Sequence, residues 1–151
     1  MTKRVRSSAL EVLHDGKHLR FVRRNGWEFV ERKNVTGIAI LVAITEEARV
    51  LFVEQHREPV GADVLELPAG LAGDEGEEDA LEAANRELEE ETGYRAKEIE
   101  ILTEGPPSPG LSDEIVTFYL ARRLTRVGKG RRRRGEHPRA RNRFRHGRPL
   151  A

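Results

Sequence analysis

A mixed α/β sandwich is the fold this sequence predicts, on three observations: several short apolar or alternating runs, one long helical segment, and a hairpin ahead of both. A length of 151 residues suits a single domain with a real core. The hairpin comes first. Residues 19–24 and 27–32 alternate aromatic or apolar side chains with charged ones around Asn25-Gly26, and Asn-Gly between such runs is the strongest short hairpin signal. Residues 35–45 are too apolar for an edge and predict a buried strand. Residues 49–55 are expected to pair with it across the polar turn Glu46-Glu47-Ala48. A short strand at 64–67 runs into Pro68-Ala69-Gly70, followed by a Gly- and acid-rich loop to Gly76 and a helix over 77–92. Residues 98–102 and 115–121 read as strands, and the Pro- and Gly-punctuated stretch 105–114 between them as irregular chain.

The helix carries the most information. With about 100° per residue, Glu91 lies about 40° from Glu87 and Glu90 about 60° to its other side. Ala80 and Ala83 fall between them, so the strip is low and open, at the lip of a core stripe formed by Leu81, Ala84 and Leu88. Glu78, Glu82, Asn85 and Glu89 share the opposite, watery side. Between Asp74 and Glu91 stand ten acidic residues and one basic one, Arg86. Like charges at this spacing weaken a helix by a few tenths of a kcal/mol per pair. A hard divalent cation resolves the conflict, because Mg²⁺ or Mn²⁺ prefers carboxylate oxygen and keeps waters and substrate phosphates as its other ligands. The bland alternative, a solvated acidic helix, fits less well with the lip position, the single Arg and the stop at Gly93.

Composition narrows the classes. No run of 18 apolar residues exists to span a membrane as a helix. The start, Met1-Thr2-Lys3-Arg4-Val5-Arg6, lacks the apolar stretch of a secretory signal, and the absence of cysteine fits a reducing cytoplasm. Net charge is sharply divided. Residues 1–121 carry 14 Lys and Arg against 25 Asp and Glu, a net of −11, whereas residues 122–151 carry 13 against Glu136 alone, a net of +12.

Arg86-Glu87-Leu88-Glu89-Glu90-Glu91-Thr92-Gly93-Tyr94, with Glu78 eight residues before Arg86, resembles the signature of the Nudix hydrolases. Every fixed position of the signature's helical half is met. Its leading Gly is displaced: Gly70 lies eight residues before Glu78 and Gly73 five, where six is expected, as if the loop were two residues longer. Glu66-Leu67-Pro68-Ala69-Gly70, Val53-Glu54-Gln55-His56-Arg57 and Ser108-Pro109-Gly110-Leu111-Ser112-Asp113-Glu114 are similar to the ADP-ribose pyrophosphatase branch, and the resemblance covers about residues 15–125.

That resemblance implies a Nudix-type α/β/α sandwich with a mixed sheet, divided as an N-terminal hairpin and dimerisation element over 1–34, a catalytic domain over 35–124, and a tail over 125–151. It implies Mg²⁺-dependent hydrolysis, with Mn²⁺ as a substitute, of the diphosphate in ADP-ribose or a related nucleoside diphosphate sugar, by a cytoplasmic homodimer. Glu87, Glu90 and Glu91 with the Ala69 carbonyl would hold the metal, Arg86 would fix the helix carboxylates, and Glu114 would join the catalytic set. Glu78 would support the ligands from behind. Trp27 and Glu28 would form the adenine pocket, and Arg57, Glu66 and Ser112 would contact substrate, while His56 is incidental. For Arg86, Arg57 and Trp27 a structural role (salt bridge, exposed strand end, dimer core) stands beside the functional one. A Nudix hydrolase of another nucleotide, such as an oxidised nucleoside triphosphate or a dinucleotide, is the alternative.

After Leu124 the pattern changes to Arg131-Arg132-Arg133-Arg134 and then Arg139, Arg141, Arg143, Arg145 and Arg148 among Gly, Pro, His and Ala. No apolar periodicity survives, which reads as disorder. An arginine-rich arm would make the chain an impaired nucleotide- or RNA-binding protein. The preferred reading is a frameshifted or otherwise replaced C-terminus, since these residue types are what GC-rich coding sequence yields out of frame, and the acidic loop expected in this branch is missing.

Overall fold

A computed structural model describes residues 9–35, 37–72, 80–130 and 143–149, which contain ten strands and one helix in three sheets. The first sheet is the meander of β1 (Glu11–Asp15), β2 (Leu19–Arg24) and β3 (Trp27–Arg32). Asn25 and Gly26 both take positive φ, 54° and 79°, as the two-residue turn requires, so β2 and β3 pair in unbroken register from Leu19↔Arg32 to Arg24↔Trp27. The expected hairpin is present.

The central sheet runs in the order β7 (Ala69–Ala72), β4 (Gly37–Ala43), β9 (Val116–Arg126), β8 (Tyr94–Gly105). β4 lies parallel to β9 and antiparallel to β7. Alternate residues Ala39, Leu41 and Ala43 of β4, with Tyr119 and Ala121 of β9, point to one face. Ala84 and Leu88 of α1 (Ala80–Thr92) close over them, and Leu51 and Ala96 complete the core. In the third sheet β5 (Arg49–Arg57) lies between β6 (Ala62–Glu66) and β10 (Arg143–Pro149).

Several expectations need correction. Residues 49–55 do not form a hairpin with β4; one bridge, Ile44↔Val50, joins them. A strand has two edges, and β7 and β9 occupy both edges of β4, so β5 pairs elsewhere. Residues 69–72, expected as loop, are a strand for the same reason: the apolar run of β4 needs a partner on that side. Residues 143–149, expected as irregular tail, pair antiparallel with β5, Arg143 opposite Glu54. The arginine run 131–134 and the rest of the tail to residue 142 lie outside the described residues, as do Glu78 and the loop 73–79.

On α1 the buried arc extends further round than the wheel suggests. Asn85, placed on the watery side, is buried; its amide donates to the Ala96 carbonyl and accepts from the Ala96 N–H, each at 2.9 Å. Leu81, assigned to the core, stands 39% exposed in the first turn. The helix stops at Gly93, whose φ of 76° suits glycine. A second constraint acts there: Val127 and Gly128 donate to the Gly93 carbonyl, and a Cβ on Gly93 would come 2.5 Å from the Gly128 oxygen.

Candidate active site

Two of the three helix carboxylates turn inward. Glu87 is 7% exposed and Glu91 8%, and they face consecutive residues of β7. The Ala69 N–H donates to Glu91 Oε2 at 3.1 Å. Glu87 lies so close to Gly70 that a Cβ there would fall 2.3 Å from its Cγ and Cδ. Gly70 is therefore required by close approach, which its place in the Pro68-Ala69-Gly70 run did not reveal. The edge itself follows from the ladder. Leu41 donates to the Pro68 carbonyl, and Ile40 stands opposite Ala69. Antiparallel pairs alternate between bonded and unbonded, so the Ala69 N–H and C=O both lie on the side of β7 turned away from β4, towards the helix.

Glu90 departs from the expected set. It is turned to Arg86, at 3.6 Å, which also stands 4.0 Å from Glu87. Among the described residues no three His, Asp or Glu side chains gather closely enough to hold a metal ion. What the edge offers is a pair of buried carboxylates and a main-chain carbonyl, an oxygen-only donor set whose chemistry fits a hard divalent cation.

The expected substrate contacts fall into two other groups. Gln55 and Arg57 of β5 converge on Glu66 of β6, each at 2.9 Å, and the Arg57 guanidinium holds the Glu66 carboxyl below its usual range. Trp27 is 62% exposed, with its Nε1–H donating to the Gly110 carbonyl at 3.3 Å. Glu28, expected to receive an amine, is bonded to Arg23 at 2.7 Å on the hairpin surface. Ser112 bridges to Val30 while Val30 N–H donates to Leu111, which ties the 105–115 loop to β3. Arg32, not singled out from sequence, donates to Glu114 at 2.6 Å. A cavity beside this pair and one beside Glu87 share Gly37 and Ile38 in their walls, so Glu114 and Glu87 line neighbouring cavities. His56 Nδ1 pairs with Asp63 Oδ1 at 3.0 Å.

The family model described as the NUDIX domain matches residues 35–144. A methanol dehydrogenase activator of Bacillus methanolicus is 42% identical over 90 residues, which is 60% of this chain and 48% of that protein. An ADP-ribose pyrophosphatase of Bacillus subtilis is 43% identical over 89 residues, 59% of this chain and 47% of that protein. The chain thus spans about half the length of these curated relatives. A crystal structure of an ADP compounds hydrolase superposes with a TM-score of 0.69 at 17% identity, covering 95% of this chain and 80% of that one, a likeness of fold. With its helix signature, its mixed sheet and the family model agreeing, this chain belongs to the Nudix family.

Proposed function

We propose that the chain hydrolyses the diphosphate bond of ADP-ribose or a related nucleoside diphosphate sugar, releasing AMP and a sugar phosphate, with Mg²⁺ as its metal and Mn²⁺ as a substitute. The observation that carries this is the burial of Glu87 and Glu91 side by side against Ala69 and Gly70, where two carboxylates and a main-chain carbonyl form an oxygen donor set that suits a hard divalent cation. Similarity to a protein named ADP-ribose pyrophosphatase supports the substrate class.

Glu87, Glu91 and the Ala69 carbonyl are the groups assigned to the metal, with Glu90 reaching it by release from Arg86. Such an ion supplies charge neutralisation on the diphosphate and a more acidic water. The chain's own residues do the rest. Arg86 offsets the carboxylate repulsion. The Arg57–Glu66 pair presents an oriented guanidinium at the end of β5, and the open face of Trp27 offers a stacking surface for a base. Glu114, fixed by Arg32, adds a carboxylate in the neighbouring cavity. The same reading makes the chain a homodimer through the hairpin sheet, where Leu19 and Phe21 are exposed; light scattering checks this.

The decisive assay incubates the protein with ADP-ribose and Mg²⁺ and follows AMP. Wild type releases it, and Glu91→Gln loses at least about a hundredfold in rate, the scale of removing one electrostatic support. A wild type that releases no AMP with either Mg²⁺ or Mn²⁺ overturns the reading.

A further inference from the structure

The sheet face beneath α1 changes character along its length. Leu41, Ala43, Tyr119 and Ala121 make it apolar where the helix covers it, but Thr117 and Glu104 lie on the same face beyond them. They open into a cavity of about 330 Å³ walled by Gly37, Ala39, Gly70, Ala83 and Glu87, among others. Glu104 is a carboxylate outside the Nudix signature, in the same cavity as a helix carboxylate.

Its presence there depends on one irregularity. Ile101 stands opposite Tyr119, but Thr103 stands opposite Phe118 and Glu104 opposite Thr117, so β8 carries an extra residue between Ile101 and Thr103. In an unbroken ladder, Thr103 would face Thr117 and Glu104 would face Val116, on the other side of the sheet. A one-residue slip exchanges the two faces, and bulges of this kind re-aim side chains beside active sites. The bulge thus turns Glu104 into the cavity.

We propose that Glu104, held by Thr117, is a subsite for the hydroxyls of a ribose attached to the diphosphate, and so a specificity-determining residue. The Thr117 hydroxyl donates to Glu104 Oε2 at 3.2 Å, which uses its hydrogen and leaves the pair displaying acceptors. A complementary group must donate. In a substrate of the proposed class the neutral groups that can donate beside a diphosphate are the hydroxyls of its riboses. The cavity is at the small end of ligand sites and suits one sugar-sized group. The same carboxylate disfavours an additional phosphate by like charge, separating sugar-bearing substrates from nucleoside triphosphates.

This rests on the proposed hydrolysis, and its test separates the two. Steady-state kinetics of wild type and Glu104→Gln are compared on ADP-ribose, on an ADP alkyl ester lacking the distal ribose, and on ADP-ribose with a 2′,3′-dideoxyadenosine end. For ADP-ribose the variant raises KM about tenfold, the worth of one charge-assisted hydrogen bond, with kcat changed less than about threefold. KM for the alkyl ester stays unchanged if the distal ribose is bound there; KM for the dideoxy substrate stays unchanged if the adenosine ribose is. Thr117→Val shifts KM in the same sense by less. Equal effects on all three substrates, or none on any, overturn the subsite. Should wild type hydrolyse nothing, the function fails on its own, and calorimetric titration with ADP-ribose judges the subsite: weaker binding by Glu104→Gln supports it, and equal or undetectable binding by both proteins overturns it.

Discussion

The α1–β7 edge and the β2–β3 hairpin both carry dense charge, and burial separates them. Glu87 and Glu91 are buried, with Arg86 beside Glu87. On the hairpin, Arg23–Glu28 and Arg20–Glu31 are matched pairs in contact with water, and Lys33–Asp15 adds another where β1 joins it. Such surface pairs are each worth no more than about 1 kcal/mol, whereas like charges withdrawn from solvent oppose folding. The first region therefore spends stability on something other than the fold, and the second spends nothing. Activity and stability should come apart in the first region and stay uncoupled from charge in the second.

Glu87→Gln tests that separation most severely. The amide keeps an acceptor oxygen and removes a buried charge, so AMP release falls by about two to three orders of magnitude. Its melting temperature, read by calorimetry without metal, stays level or rises. A variant that melts well below wild type would show Glu87 to be part of the fold's support and would dissolve the contrast.

Gly70→Ala comes next. The added methyl would meet the far end of Glu87, a side chain that can swing, rather than backbone. The fold survives while the carboxylate is displaced by roughly an ångström, which costs about a hundredfold in kcat. Circular dichroism and the rate together check it; an active Gly70→Ala enzyme would mean that the placement of Glu87 is uncritical.

These positions differ in how far the sequence announces them. Asn25-Gly26 and the flanking alternation fix β2 and β3, because turn chemistry and a period of two are local. The inward carboxylates follow from helical spacing and the family signature. Long-range pairing leaves no such mark. Ala69-Gly70-Leu71-Ala72 has no strand period, and only the open edge of β4 makes it a strand. Composition alone does not place 143–149 against β5. Glu104 lies beyond the predicted strand 98–102, and its face depends on a bulge with no local mark in the sequence. Glu90, next to the buried Glu91, instead meets Arg86 one turn earlier, a pairing that helical spacing allows but does not choose over the metal edge.

Asn85 shows the same limit and sharpens the comparison from its buried side. The wheel marks it polar, but not that β8 passes there with the Ala96 N–H and C=O in need of partners. Asn85→Ala leaves both buried groups unmet at about 1–3 kcal/mol each, lowering the melting temperature by roughly 5–15 °C. At temperatures where the variant is folded, kcat changes little. Here a buried polar group supports the fold and not the chemistry, the reverse of Glu87.

The Arg57–Glu66 pair stands between the two regions, half in water and bonded to Gln55 as well. Glu66 titrates below its ordinary value in the folded chain because Arg57, then Gln55, stabilises its charge against the penalty of burial. A lowered folded value favours the native state where the unfolded carboxylate is also ionised, above about pH 4.3. That contribution is lost as pH falls through the lowered value. Arg57→Met therefore melts a few degrees below wild type at pH 6, and the gap closes as both are acidified below the ordinary carboxylate range. If the gap were the same at pH 6 and at pH 3, the guanidinium of Arg57 would be stabilising β5 through contacts that do not depend on the charge of Glu66, and the pair would not belong with the sheet's titrating charges.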